Sequence, residues 1–410
     1  MNIATAPPLS TMSSRHGIIF LAALLICIHG ARSANSFGNF DVKRMGAVAD
    51  GRTDDSAVFL RAWRHACERT GFNRIYVPPG TYKIFPVKFE GPCKGTVELR
   101  LKGVLKASPS PVTLNFDHWI TFRYINGLTI RGGGTFDGQG PSAWPYNDCA
   151  KNPGCRRPPV SIRFDFVTNA LIRSIRSLNS KNFHFNVFGC RNMKFLNVKI
   201  DAPDESPNTD GIHIGSSSEI VIHDSLIATG DDCISLGPGS RNIDIRGVHC
   251  GPGHGISIGS LGKYRDEEDV AGVRVRNCTL SRTQNGLRIK TWESPLWSKA
   301  YDLTFENIVM HDVNNPIIID QSYCPSGGCK PKIASQVQIE NIFFNFIRGT
   351  SLTENAVSLI CSPLRPCKNV RMKDIDLKYN GPGPRGRTAR ALCYNVRGSA
   401  WGFQNPPACI

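Results

Sequence analysis

The feature that most constrains this chain is a short strand pattern that recurs along most of its length. Segments 170–175, 193–198, 220–225, 243–248, 273–278, 303–308, 337–342 and 370–375 mostly read apolar, any, apolar, any, Asn or Asp, apolar. Their starts lie 23 to 34 residues apart. Alternation over so few residues marks a half-buried strand. Strands repeating at this period, with no helical pattern between them, cannot bury their apolar faces alone. Stacked as successive turns of a solenoid, they can. A propeller demands several strands and hairpin turns in every repeat of about 40–50 residues, and Asn-Gly or Asp-Gly signals do not occur at that rhythm. The expected fold is therefore all-β, a single-domain parallel β-helix.

A solenoid needs its ends covered. Residues 54–67 read as an amphipathic helix with Thr53 or Asp54 as N-cap, and with Phe59, Leu60, Trp63 and Cys67 on one face. This helix is expected to cap the first coil. The Pro-, Gly- and Arg-rich stretch Gly381–Arg390 is expected to be an exposed loop near the other end.

Ahead of the repeat, residues 18–28 form one short apolar run preceded by Arg15 and His16 and followed by Ala31, Arg32 and Ser33. That is the pattern of a secretory signal, too short to span a bilayer. Residues 1–33 are assigned to it and 34–410 to the β-helix, with cleavage after Ser33 or Ala34. Removing the signal takes Cys27 and leaves 14 cysteines, an even number that suits disulfides in a secreted chain. Cys149 with Cys155, Cys324 with Cys329 and Cys361 with Cys367 are close enough to close small loops. With no C-x-x-C pair, a zinc site is not expected. Asn277 begins an N-x-T sequon.

The net charge is +16, or +14 without Arg15 and Arg32. Such a surface attracts polyanions. No basic run interleaved with aromatics points to nucleic acid, and a secreted chain meets acidic wall or matrix polymers. No membrane span and no partner chain is expected, and the protein is read as a monomer.

A second repeat carries the chemistry. Asp210–Gly215, Asp232–Gly237, His254–Gly259 and Asn285–Lys290 align at spacings of 22, 22 and 31. In each, the third and fifth residues are apolar and point inward. The fourth and sixth then point outward, giving the columns His213, Ser235, Ser257, Arg288 and Gly215, Gly237, Gly259, Lys290. Coils stack about 4.8 Å apart, so Asp210, Asp232 and His254 form a further column, with Asp231 beside it. Neighbours in sequence face opposite ways on a regular strand, so Asp231 and Asp232 can share a cleft only if a turn or bulge interrupts it. Arg288 and Lys290 have no acidic neighbour in their strand, so their charges are read as free for a ligand. Crowded carboxylates resist ionising together, and one keeps its proton. A carboxylic acid beside a carboxylate is what glycoside hydrolysis uses, and a nearby basic pair suits a sugar carboxylate. Gly255–Gly259 also matches G-x-S-x-G, but a nucleophile elbow needs a strand, a sharp turn and a helix. Here the segment is one copy of a strand repeat.

Asn208-Thr209-Asp210, Gly230-Asp231-Asp232, Gly253-His254-Gly255 and Arg288-Ile289-Lys290 resemble, in order and spacing, the four motifs of glycoside hydrolase family 28, the polygalacturonases. The likeness spans nearly the whole mature chain and is nearest to plant, pollen-type exopolygalacturonases. It implies a right-handed β-helix and inverting hydrolysis of α-1,4-galacturonosidic bonds in homogalacturonan, without cofactor. It further implies Asp231 as general acid, Asp210 and Asp232 as the pair that positions and deprotonates water, and His254 as a tuner of the acid. Asn208, Arg288, Lys290 and Tyr323 are implied in substrate binding. Spacing alone does not give inversion, because adjacent coils are closer than the carboxyl separation of about 6.5–9.5 Å in inverting enzymes. Residues 293–297 depart from the family's more usual glycine-rich continuation. A pectate lyase and a catalytically inert wall-binding β-helix are the alternatives from the same fold, and endo action is the alternative to exo.

Overall fold

In the computed structural model, which describes residues 37–149, 152, 154–325, 333–384 and 386–410, the repeats stack as parallel strands of a right-handed β-helix. Every described strand pairing is parallel, and the central coils stack residue on residue, with register shifts at a few coils such as between Ile258 and Leu261. Phe37–Ile410 forms one unit. The proposed signal, residues 1–33, lies outside the described residues.

A central coil shows how the sequence makes the turns. Strand Ile212–Gly215 is followed by strand Ser218–His223 and then by strand Leu226–Ala228. Only residues 216–217 and 224–225 separate them, whereas five residues, 229–233, lead into the next coil's Ile234–Leu236. The eleven strands equivalent to Ile212–Gly215 form one ladder, from Val87–Glu90 to Arg390–Tyr394. The other two series form the second sheet and merge from Val270–Ser281 onward, where one long strand pairs with both.

Alternation in the eleven-strand ladder sends Ile212, Ile234, Ile256 and Leu287 inward as one column, and Ile214, Leu236, Ile258 and Ile289 as another, each at most 1% exposed. Towards the N-terminus the second column becomes aromatic, with Phe122 tilted against Phe89 at 5.2 Å and stacked on Phe164 at 5.5 Å. Trp63 of helix α1 (Ser56–Cys67) rests on Phe89 at 5.1 Å, so the helix caps the first coils as expected. Two details differ from the sequence reading. The N-cap is Asp55, whose carboxylate instead takes the Val48 and Ala49 amides and anchors the preceding loop. Leu60 is exposed, because the buried stripe runs through Phe59, Ala62, Trp63, Ala66 and Cys67.

Among the described residues, disulfides join Cys67 to Cys93, Cys149 to Cys155, Cys233 to Cys250, Cys361 to Cys367 and Cys393 to Cys409. Cys324 is also disulfide-bonded, while Cys329 lies outside the described residues. Pairing of all 14 cysteines does not hold, because Cys190 and Cys278 are buried free thiols that pack as apolar side chains. The stretch 381–390 is largely exposed, as expected, with Arg385 outside the described residues. Asn277 is exposed and accepts a hydrogen bond from Asn307 at 2.8 Å. No described helix is long and apolar enough to cross a membrane.

Candidate active site

The turns entering the eleven-strand ladder carry the candidate residues. Asp210 closes the loop before Ile212, while Asp231 and Asp232 lie in the bend between Leu226–Ala228 and Ile234–Leu236. That bend is the interruption the sequence required, and it lets two adjacent aspartates share one cleft. Three fastenings hold it. The Thr209 hydroxyl accepts the Gly230 amide at 2.9 Å, and the Thr229 hydroxyl donates to the Asp231 carbonyl at 3.0 Å. The Cys233–Cys250 disulfide ties this turn to the one carrying His254. Gly253 and Gly255 flank His254 with φ of +145° and +89°, and a Cβ on Gly255 would collide with the Asn285 carbonyl.

Register places Asp210, Asp232 and His254 at equivalent points of three coils. Their environments differ sharply. Asp232 is 1% exposed; one oxygen takes Ser257 Oγ at 2.6 Å and Arg288 Nη2 at 2.8 Å, and the other takes Lys290 Nζ at 2.7 Å. Burial opposes its ionisation, but Lys290 and Arg288 outweigh it and hold the carboxyl well below the usual range. Among the described residues, Asp210 accepts one side-chain hydrogen bond, from Ser235 Oγ at 2.8 Å. Burial, then the charges of Asp231 and Asp232, push it well above the usual carboxylate range. Asp231 is the most open of the three. Its Oδ1 meets His254 Nδ1 at 3.0 Å and the Asp232 amide at 2.8 Å, and its Oδ2 accepts Asn208 Nδ2 at 3.3 Å.

The two cations overturn one expectation. Arg288 and Lys290 share a face, but their side chains are only 10% and 8% exposed and both are committed to Asp232. Their strand holds no acidic neighbour, but the carboxylate two coils below takes both charges. Arg288 spends Nε on Ser257 and Nη2 on Asp232, and Nη1 is the donor left over. Tyr323 faces both, its ring centroid 5.9 Å from the guanidinium and 5.3 Å from the ammonium, and Trp292 packs edge-on against it at 5.4 Å.

Sequence reasoning passed over Ser235 and Ser257 as ligands of the aspartates, although the outward columns already contained them. It also missed Asn147, which donates to Asn208 Oδ1 at 3.0 Å from a loop 61 residues earlier, and no local pattern signals that contact. Asp231, Asp232 and His254 offer ligand atoms within 4.8 Å of one another, the one such grouping among the described residues. A metal ion there would meet the charges of Arg288 and Lys290, which already contact Asp232 at 2.8 and 2.7 Å.

A parallel solenoid with three converging carboxylates, an imidazole and a buried cation pair is an arrangement suited to glycoside hydrolysis. Residues 67–401 match Glycosyl hydrolases family 28, and the chain belongs to that family. It is 46% identical over 378 residues to an exopolygalacturonase of Platanus acerifolia, covering 92% of this chain and 98% of that protein. It is 46% identical over 386 residues to a polygalacturonase of Gossypium hirsutum, covering 94% of each. The endo-xylogalacturonan hydrolase of Aspergillus tubingensis superposes with a TM-score of 0.75 at 23% identity, covering 90% of this chain and all of that one, which speaks for the fold alone.

Proposed function

We propose that this glycoside hydrolase is a polygalacturonase that cleaves α-1,4-galacturonosidic bonds of homogalacturonan with inversion, releasing product from chain ends. One observation carries the reading: three carboxylates of unlike environment converge on one trough beside Arg288 and Lys290. Asp232, held ionised by two cations, and Asp210 together position and deprotonate the water. Asp231 faces the cleft between His254 and Asn208 and acts as general acid towards the leaving oxygen. That role needs one proton on Asp231 in the substrate complex, while burial and the charges of Asp231 and Asp232 disfavour ionisation of Asp210. The remaining Nη1 donor of Arg288, Lys290 and Tyr323 meet the galacturonate carboxylate. Relatives named exopolygalacturonase favour chain-end action over endo action.

The same reading has residues 1–33 removed as a signal peptide and residues 34–410 working in the cell wall as a secreted monomer, with no nucleic-acid or membrane partner. Disulfides among the described residues suit that compartment. The test is digestion of polygalacturonate followed by proton NMR and viscometry. Monogalacturonate of inverted anomeric configuration, released with little loss of viscosity, supports the reading. Unsaturated, chelator-sensitive product indicates a lyase, rapid viscosity loss indicates endo action, and no product indicates an inert binding protein.

A further inference from the structure

Asp210 and Asp232 are held by the same device, built twice on successive coils, with one difference. Each carboxylate accepts a hydroxyl from the next coil: Ser235 Oγ on Asp210 at 2.8 Å and Ser257 Oγ on Asp232 at 2.6 Å. Each hydroxyl is held in turn by the side chain in its own outward column. For Ser257 that is Arg288 Nε at 3.0 Å, which can only donate. The Ser257 hydrogen is therefore fixed on Asp232, which stays an acceptor. For Ser235 it is His213 Nδ1 at 2.7 Å, which donates in one tautomer and accepts in the other.

We infer that His213 and Ser235 form a reversible hydrogen-bond relay to Asp210, so that His213 is a positioning residue for the water-side carboxylate. When Nδ1 carries hydrogen, it donates to Ser235 and Ser235 donates to an ionised Asp210. When Nδ1 is bare, Ser235 donates to it and the hydroxyl oxygen is left to accept from a protonated Asp210. In this exchange the Ser235 hydrogen passes to Asp210, the Nδ1 hydrogen passes to the Ser235 oxygen and Nε2 takes one proton from solvent, so the imidazole stays neutral and the net gain is the single proton on Asp210. The surroundings keep the imidazole neutral, as reversal requires. Burial, then the charge of Lys290, lowers the His213 pKa to about 4, opposed by Asp232, with Arg157 and Arg163 acting in the same direction as Lys290. Phe183 packs on the ring at 4.9 Å and Gly237 leaves room at Nε2. The charges facing Asp210 are Asp231, Asp232 and Lys290.

The inference rests on the hydrolase reading for its catalytic consequence, but its closing test does not need turnover. Histidine ¹⁵N NMR of the full chain, with the His213 signal assigned by its loss in His213→Gln, reports the tautomer directly. The expected result is a tautomer change in the wild type as pH moves through the Asp210 titration, and no change in Asp210→Asn. A tautomer that stays constant with pH, or one that changes identically in Asp210→Asn, overturns the relay. On polygalacturonate, Ser235→Ala and His213→Leu are expected to move the acid limb of kcat/KM up by about one to two pH units, the size of a lost hydrogen bond to a charged group. The double variant should move it no further, and His213→Gln, which can still exchange a hydrogen bond with the hydroxyl, should keep the limb near that of the wild type. A purely structural role lowers activity at every pH without moving the limb, and that outcome also overturns the proposal.

Discussion

Two charge clusters on different sheets of the solenoid have nearly the same composition and very different surroundings. On the eleven-strand ladder, Asp232 sits between Arg288 and Lys290. On the other sheet, Asp244 sits between His223 at 2.9 Å and Arg276 at 3.1 Å. Both carboxyls lie below the usual range for the same reason, since in each case burial is outweighed by the donors and charges alongside. The Asp232 side chain is 1% exposed, however, and that of Asp244 is 27% exposed. The difference comes from the turns. Those entering the eleven-strand ladder run to five residues at 229–233 and ten at 202–211 and fold over its outward columns, whereas two-residue turns leave the other sheet open. Charges therefore become a reactive site here through the loops that roof them, since strand pattern and residue types are shared.

The widest separation is expected in turnover. Asp231→Asn and Asp232→Asn should each lower kcat by about 10²–10⁴, the range for loss of a positioned acid or base. Their combination should cost little more than either alone, because they act as a unit. Asp244→Asn should leave kcat at the wild-type value. Steady-state kinetics on polygalacturonate with the wild type and all four variants checks this, and a multiplicative loss in the double variant breaks the unit.

Stability should separate the clusters next. Removing one member of a buried, hydrogen-bonded ion group leaves an uncompensated charge, so Arg288→Ala or Lys290→Ala should destabilise the fold by about 3–5 kcal/mol. Arg276→Ala, with its side chain 41% exposed, should cost less than about 1 kcal/mol. Urea unfolding of the three variants measures both. Equal losses would mean that the roof over Asp232 does not exclude water.

The same contrast explains what could be read in advance. The coils and the Asp210–Asp232–His254 column were legible because a period-two pattern fixes which way each side chain points, and in-register stacking fixes its neighbours. Ser235 and Ser257 were legible in principle by the same rule. The partners of Arg288 are not legible within its own strand, because the ion pair crosses two coils. The Cys233–Cys250 link and the Asn147–Asn208 contact depend on how turns fold over the ladder, and turn paths leave no periodic trace. The free thiols Cys190 and Cys278 defeat counting because each sits alone in the apolar core.

A subtler effect concerns Asp210, which the roof penalises. Its folded pKa is raised, so the folded state holds that proton more tightly than the unfolded chain does. The associated stability is present below the ordinary carboxylate pKa of about 3.9 and is lost as pH rises through the folded value. Asp210→Asn removes the titration. It should therefore be more stable than the wild type at pH 7 although inactive, with the gap closing as pH falls below about 4. Thermal melting across pH checks the sign, and a variant less stable at neutral pH contradicts it.

The smallest effect tests the open cluster alone. Asp244 has a lowered pKa, so its contribution is present above the ordinary carboxylate pKa and fades as pH falls through the folded value, the opposite sense to Asp210. Its partners are long side chains at a wet surface, where ordering them offsets much of the attraction. Asp244→Asn should cost less than about 1 kcal/mol at pH 7. Because exposed pairs are screened over a Debye length of about 10 Å at 0.1 M salt and about 3 Å at 1 M, the loss should shrink further in molar sodium chloride. The Arg288→Ala loss, shielded by the roof, should be far less responsive to salt. Unfolding free energies of both variants at low and molar salt decide the matter. If both losses shrink alike, water and ions reach Asp232 as freely as Asp244, and the distinction drawn from the turns fails.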